Sequence, residues 1–205
     1  MLIGGRLMIH KLSTMISSQL VKHKIISEEL EEIYIYGVEI TISSIIGFII
    51  SAVIGLLFNA FIQTMIYYAV FVILRSMTGG YHASSYFKCN FIFSLITIFV
   101  IVFSKAASEV HTTVGTLTML FLSAAAIFIW LAPIENPNKP IEKKKKTYLK
   151  MAAVITSVFL YVMSILLYIN QYTYHASIII ITIFAVSMLC MLTVIRKGGR
   201  YDEKD

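Results

Sequence analysis

The sequence predicts an all-α polytopic membrane protein: about six transmembrane helices, preceded by an amphipathic helix lying on the membrane surface. Three observations predict it. The 205-residue chain is 58% hydrophobic and only 14% charged, with a mean hydropathy of +0.82. A soluble domain carries about 25% charged residues, so there are too few here to cover a water-facing surface. The apolar residues also come in long runs, the pattern of membrane spans. Finally, the basic residues cluster in alternate connecting segments, as they do when one side of a membrane retains them.

The elements follow in order. Met8, Leu12, Met15, Ile16 and Leu20 share one helical face, with Lys11, Thr14 and Ser18 off it and Lys22, His23 and Lys24 at its end. Residues 1–26 therefore read as a basic amphipathic helix on the inner leaflet. They lack the features of a cleaved secretory signal and are expected to stay on the mature protein. Ser27 is placed to N-cap the next helix, and Glu28 and Glu29 suit the positive end of its dipole. Five stretches read as spans: 38–58, 91–103, 114–134, 151–169 and 178–195. A sixth, 60–74, is short but uncharged. Since a crossing needs about 20 residues, 60–74 and 91–103 are either extended by their flanks or partly re-entrant. Either arrangement leaves both termini on one side. All three prolines, Pro133, Pro137 and Pro140, mark a loop, and residues 135–150 read as a basic cytosolic loop carrying four lysines at 143–146. No internal repeat is visible, and residues 1–205 read as a single domain.

With both termini in the cytosol, 16 of the 17 Lys and Arg residues fall on the cytosolic side and only Lys105 falls outside. This bias fixes the expected orientation. It also explains the net charge of +6 without nucleic acid, because the cations sit against the anionic inner leaflet. The two cysteines, Cys89 and Cys190, do not suggest a disulfide framework. Neither they nor the five scattered histidines show zinc-ligand spacing, and no metal or cofactor is expected.

The informative stretch is the cytosolic segment 75–90, between the second and third spans. It holds Arg75, Gly79, Gly80, His82 and Cys89. Here alone a thiol and an imidazole lie close in sequence at a membrane interface. A cysteine peptidase needs that pair: the thiolate attacks, and the histidine activates it and then protonates the leaving amine. On one continuous helix, residues seven apart would sit about 10 Å apart along the axis, too far to hydrogen-bond. The backbone must therefore bend between His82 and Cys89. Gly79 and Gly80 give freedom before His82, and Ser84 or Ser85 can N-cap a new helix after it. With Ser85 as the cap, Cys89 falls at the end of the first turn, where the helix dipole and Lys88 favour a thiolate.

The string Arg75-x-x-x-Gly79-Gly80-x-His82, followed seven residues later by Cys89, resembles the core motif of the AgrB family, the accessory gene regulator B peptidases of Gram-positive bacteria. Ala132-Pro133, with Asn138-Lys139-Pro140-Ile141, resembles that family's second motif. The resemblance implies a multi-pass enzyme of the cell membrane that cleaves the C-terminal tail from a short amphipathic AgrD-like precursor. It implies His82 and Cys89 as the catalytic pair, a Cys89 thioester, ring closure to a thiolactone or lactone signal peptide for quorum sensing, and a homodimer. No ATP is required, because one activated acyl bond replaces another.

Other residues carry two readings each. Arg75 is an interfacial anchor or a clamp for backbone or substrate. Gly79 and Gly80 are hinges, oxyanion donors or both. Glu39 forms a polar stripe with Glu32, Tyr36 and Ser43. It is a possible third catalytic member orienting His82, or a helix-pairing residue. The lysines at 143–146 bind lipid headgroups or an acidic substrate tail. Cys190 reads as structural, and the remaining histidines as non-catalytic. The rival function is a non-catalytic small transporter or peptide-export partner.

Overall fold

The computed structural model describes residues 4–79, 86–110, 112–134 and 142–198. They form seven α-helices joined by short connections: α1 (Gly4–Lys22), α2 (Glu31–Leu57), α3 (Phe61–Thr78), α4 (Tyr86–Glu109), α5 (Val114–Leu131), α6 (Lys143–Ile169) and α7 (Thr173–Gly198). A single 3-10 turn, Glu28–Leu30, precedes α2. Six of these helices, α2 to α7, are long and apolar enough to cross a membrane. This is the expected outcome in lipid, where a backbone without water must satisfy its own hydrogen bonds.

The two short spans resolve in favour of extension by their flanks. α3 has 18 residues and α4 has 24, or about 27 and 36 Å at 1.5 Å per residue. Ser27 sits at the cap position with extended backbone but makes no side-chain cap bond. The expected basic loop 135–150 is shorter than the sequence suggested. α6 begins at Lys143, so the four lysines are helical. Pro140 is the last helix breaker there, and lysine is a good helix former.

α7 is the hub, packing against α3, α4, α5 and α6. Its run Ile178, Ile179, Ile180, Ile181, Ile183 and Val186 is buried on successive faces, as expected of a helix that is apolar all round. The main core joins Leu74 of α3, Leu117, Phe121 and Phe128 of α5, and Ile180, Ile183 and Cys190 of α7. A second cluster joins Tyr67, Val100, Ile178 and Ile181. α2 packs against α1, α3 and α4.

Lipid offers no hydrophobic drive between helices, so close approach relies on small residues. Gly47, Ser51 and Gly55 form the buried stripe of α2. A Cβ on Gly55 would meet the Thr64 hydroxyl at 2.9 Å and Phe61 Cα at 3.0 Å. The α2–α3 hairpin closes with Asn59 in the left-handed region (φ 51°) and the Ala60 amide donating to Gly55 O at 2.8 Å.

α1 packs on α2, with Ser13 and Ser17 fully buried and Leu12, Met15 and Ile16 exposed. The apolar stripe thus faces away from the protein, towards whatever surrounds it.

The Gly55 contact has a measurable consequence. Gly55→Val is expected to push α3 off α2, at a cost of about 1–3 kcal/mol, typical of overpacking. The melting temperature in detergent should drop by several degrees. Gly37→Ala, where a Cβ meets nothing within 4 Å, should leave it unchanged.

Candidate active site

Alternation of the six spans brings the end of α3, the start of α4, the end of α5 and the C-terminal part of α7 to one end of the bundle. Arg75, Gly79, Cys89, Ile134 and Cys190 meet there. α3 stops at Thr78 because Gly79 takes φ +63°, a conformation that ends a helix and that side chains rarely adopt. The Gly79 amide still donates to Arg75 O at 3.2 Å. The Gly79 carbonyl is held from two sides. Arg75 Nη1 donates to it at 2.6 Å, and the Thr78 hydroxyl lies 3.4 Å away.

The same corner is tied to the end of α5. Gly79 and Ile134 form an isolated parallel β-bridge, in which the Ile134 amide donates to Thr78 O at 2.9 Å. The Ala132–Pro133 peptide is cis. A Cβ on Gly79 would lie 2.6 Å from Ile134 O, so side chain and bridge cannot coexist. Gly79 of the first sequence motif is therefore joined to Ile134, the residue that follows Ala132-Pro133 of the second.

Cys89 is the fourth residue of α4, a half-buried free thiol in the first helical turn. The amides of that turn carry the positive end of the helix dipole. Arg75 stands within electrostatic range of both Cys89 and Cys190. Its guanidinium binds a carbonyl of the chain's own backbone through Nη1. His82 and Gly80 lie outside the described residues, as do 138–141 of the second motif.

Glu39 is brought to α1. Its Oε1 lies 2.8 Å from His10 Nδ1, which donates to it across the α1–α2 contact. Sequence reasoning set His10 aside, and nothing in its spacing marks it as a partner of Glu39. It also set Cys190 aside as structural. Cys190 is fully buried, in one cluster with Leu74, Ala132 and Ile134, and Arg75 stands within electrostatic range of it. Depth was the available signal: Cys190 lies less than two turns from the polar end of the last span.

The fold and this corner define a multi-pass membrane protein with one half-buried thiol at the end of its helices. A cation and a clamped glycine stand beside that thiol. The chain belongs to the accessory gene regulator B (AgrB) family, whose sequence profile matches residues 13–193. It is 31% identical over 195 residues to an AgrB-like protein of Clostridium perfringens strain SM101, covering 90% of both chains. It is 32% identical to AgrB-like protein 2 of Clostridium perfringens strain 13, covering 85% of this chain and 88% of the relative. It is 28% identical to accessory gene regulator protein B of Staphylococcus intermedius, over 60% of this chain and 64% of that one. No solved structure matches the chain.

The clamp can be tested without any substrate. Gly79→Ala adds about 1–2 kcal/mol of left-handed strain to the clash with Ile134 O. It should open the connection after α3, so limited proteolysis in detergent should nick the chain between α3 and α4 at least tenfold faster. Gly115→Ala, whose Cβ would meet only Thr113 Oγ1 at 3.7 Å, should behave as wild type.

Proposed function

We propose that this chain is a membrane-embedded cysteine endopeptidase that removes the C-terminal tail of a short AgrD-like precursor. The observation that carries the reading is the corner itself. A thiol in the first turn of α4 shares one end of the bundle with a Gly79 peptide clamped by Arg75, in a chain of the AgrB family. That arrangement holds fixed the point from which the His82 segment departs.

The chemistry follows from the pair. His82 accepts the Cys89 proton, and the thiolate attacks the scissile carbonyl to form a tetrahedral oxyanion. Collapse breaks the C–N bond, and His82 returns the proton to the departing amine. The signal-peptide segment remains on Cys89 as a thioester. A thiol or hydroxyl within that segment then attacks the thioester carbonyl. This closes a thiolactone or lactone and returns the proton to the Cys89 sulfur. Glu39, held by His10, is a candidate for orienting His82 as a third member. Cys89→Ser and His82→Ala should each abolish cleavage while the protein still inserts. Cys190→Ser should cleave at the normal rate. Cleavage by the Cys89→Ser variant would sink the reading.

The site faces the cytosol, with both termini, in the membrane of a Gram-positive bacterium. The exposed lysines at 143–146 contact anionic headgroups of the inner leaflet. The largely exposed apolar faces of α2 and α6 meet lipid or a second copy in a homodimer. An impermeant maleimide added to intact cells should leave Cys89 unlabelled and label it once the membrane is opened. Strong labelling from outside would invert the topology.

α1 docks the precursor. Its exposed Leu12, Met15 and Ile16 lie at the inner leaflet, where an amphipathic precursor also lies. Two surface helices confined to two dimensions meet at raised effective concentration. Deleting residues 2–20 should stop cleavage of the full precursor yet leave Cys89 reactive towards a small thiol probe. Normal processing by the truncated enzyme would reduce α1 to an anchor.

A further inference from the structure

We propose that the hydrogen bond between His10 and Glu39 fixes the rotation of α1 on α2, which makes the two residues positioning residues for precursor docking. The proposal deepens the docking reading above and rests on it.

α1 has little else to set its rotation. Among its described side chains only Ser13 and Ser17 are buried. Both are small, and among the described residues neither hydroxyl has a hydrogen-bond partner. Such a face lets α2 come close, but it offers no large side chain to interlock and no directional bond, so α1 is free to roll on it. The contact between His10 and Glu39 is directional. His10 Nδ1 lies 2.8 Å from Glu39 Oε1, across the two helices. The Glu39 side chain is only 19% exposed and lies one residue inside the apolar run that begins at Val38. A carboxylate at that depth is unfavourable without a donor, so the pairing is held.

The bond is also well placed. The connection at 23–30 ties α1 to α2 at one end. His10 lies about 18 Å along the helix from Lys22, the last residue of α1, at 1.5 Å per residue. Two helices tied at a turn and again at a distant bond lose the freedom to roll past each other. At about 100° per residue, His10, Ser13 and Ser17 share one face of α1, and Leu12, Met15 and Ile16 fall on the other side. Holding the first face therefore aims the second, whose exposed side chains are those proposed to meet the precursor.

The test uses the full-length protein in proteoliposomes, with a synthetic amphipathic AgrD-like precursor as substrate. His10→Ala should raise KM at least tenfold with kcat within twofold of wild type. His10→Asn, which keeps a donor near the Nδ1 position, should stay near wild type. The swap His10→Glu/Glu39→His rebuilds the pair in reverse and should bring KM back to within threefold. A precursor lacking its amphipathic segment should be cleaved alike by wild type and His10→Ala. Rotation is read directly from maleimide labelling of a Ser13→Cys variant, resolved by mass spectrometry. That thiol should be protected while His10 is present and label at least fivefold faster once His10→Ala is added. Unchanged protection and unchanged KM in His10→Ala would overturn the proposal. So would a fall in kcat at constant KM, which would tie the pair to the chemistry at Cys89. If the chain without residues 2–20 processes the full precursor normally, the docking reading falls and this proposal with it. If that deletion stops processing while His10→Ala keeps the wild-type KM, only the positioning role falls.

Discussion

A peptide group inside a hydrocarbon layer has no water to bond with, and leaving it unpaired costs several kcal/mol. Regular helix avoids that cost for α2 to α7. The constraint becomes acute wherever a helix must end, because four carbonyls and four amides then lose their intrahelical partners. The end of α3 meets it with three different devices. A side-chain guanidinium takes the Gly79 carbonyl, a neighbouring connection supplies the Ile134 amide to Thr78, and the Gly79 amide stays bonded to Arg75 O. Irregular backbone is tolerated near the membrane when protein groups enclose it, and this corner is enclosed.

On the proposed peptidase reading, that solution explains why chemistry would be sited here. A polypeptide substrate must be held against a nucleophile by groups that do not move when it arrives, since preorganisation rather than attraction lowers the barrier. The same bonds that satisfy the end of α3 also hold Gly79, its last described residue. On that reading, stability and positioning are one set of contacts. Gly79 serves both, because only a residue without a side chain turns at φ +63° and lies against Ile134.

Much of this was legible in the sequence. Long apolar runs gave all six spans, since their periodicity and length do not depend on tertiary contacts. Arg75, Gly79 and Cys89 stood out because a guanidinium, a glycine and a thiol at a membrane edge each demand a reason. The two short spans were ambiguous because charge and polarity blur a helix end: α4 extends back through Lys88 and forward through Lys105, both of which a hydropathy window rejects. The helical character of 143–150 was hidden by neighbouring prolines. The bond between Glu39 and His10 was not legible. It joins residues remote in sequence, and it depends on how two helices rotate about their axes, which a one-dimensional pattern does not encode. The burial of Ser13 and Ser17 was not legible for a related reason. That face of α1 reads as polar, yet it is the one the helix buries.

The helical setting of the lysines at 143–146 changes what they do. Four successive residues on a helix fan out at about 100° each, so they encircle α6 instead of forming a strip along one side. On the proposed reading, in which these lysines meet lipid headgroups, such a ring of ammonium groups would find phosphate in every direction. It would act as a collar that limits how far α6 can slide along the membrane normal, so that the lipid surface sets the height at which α6 starts.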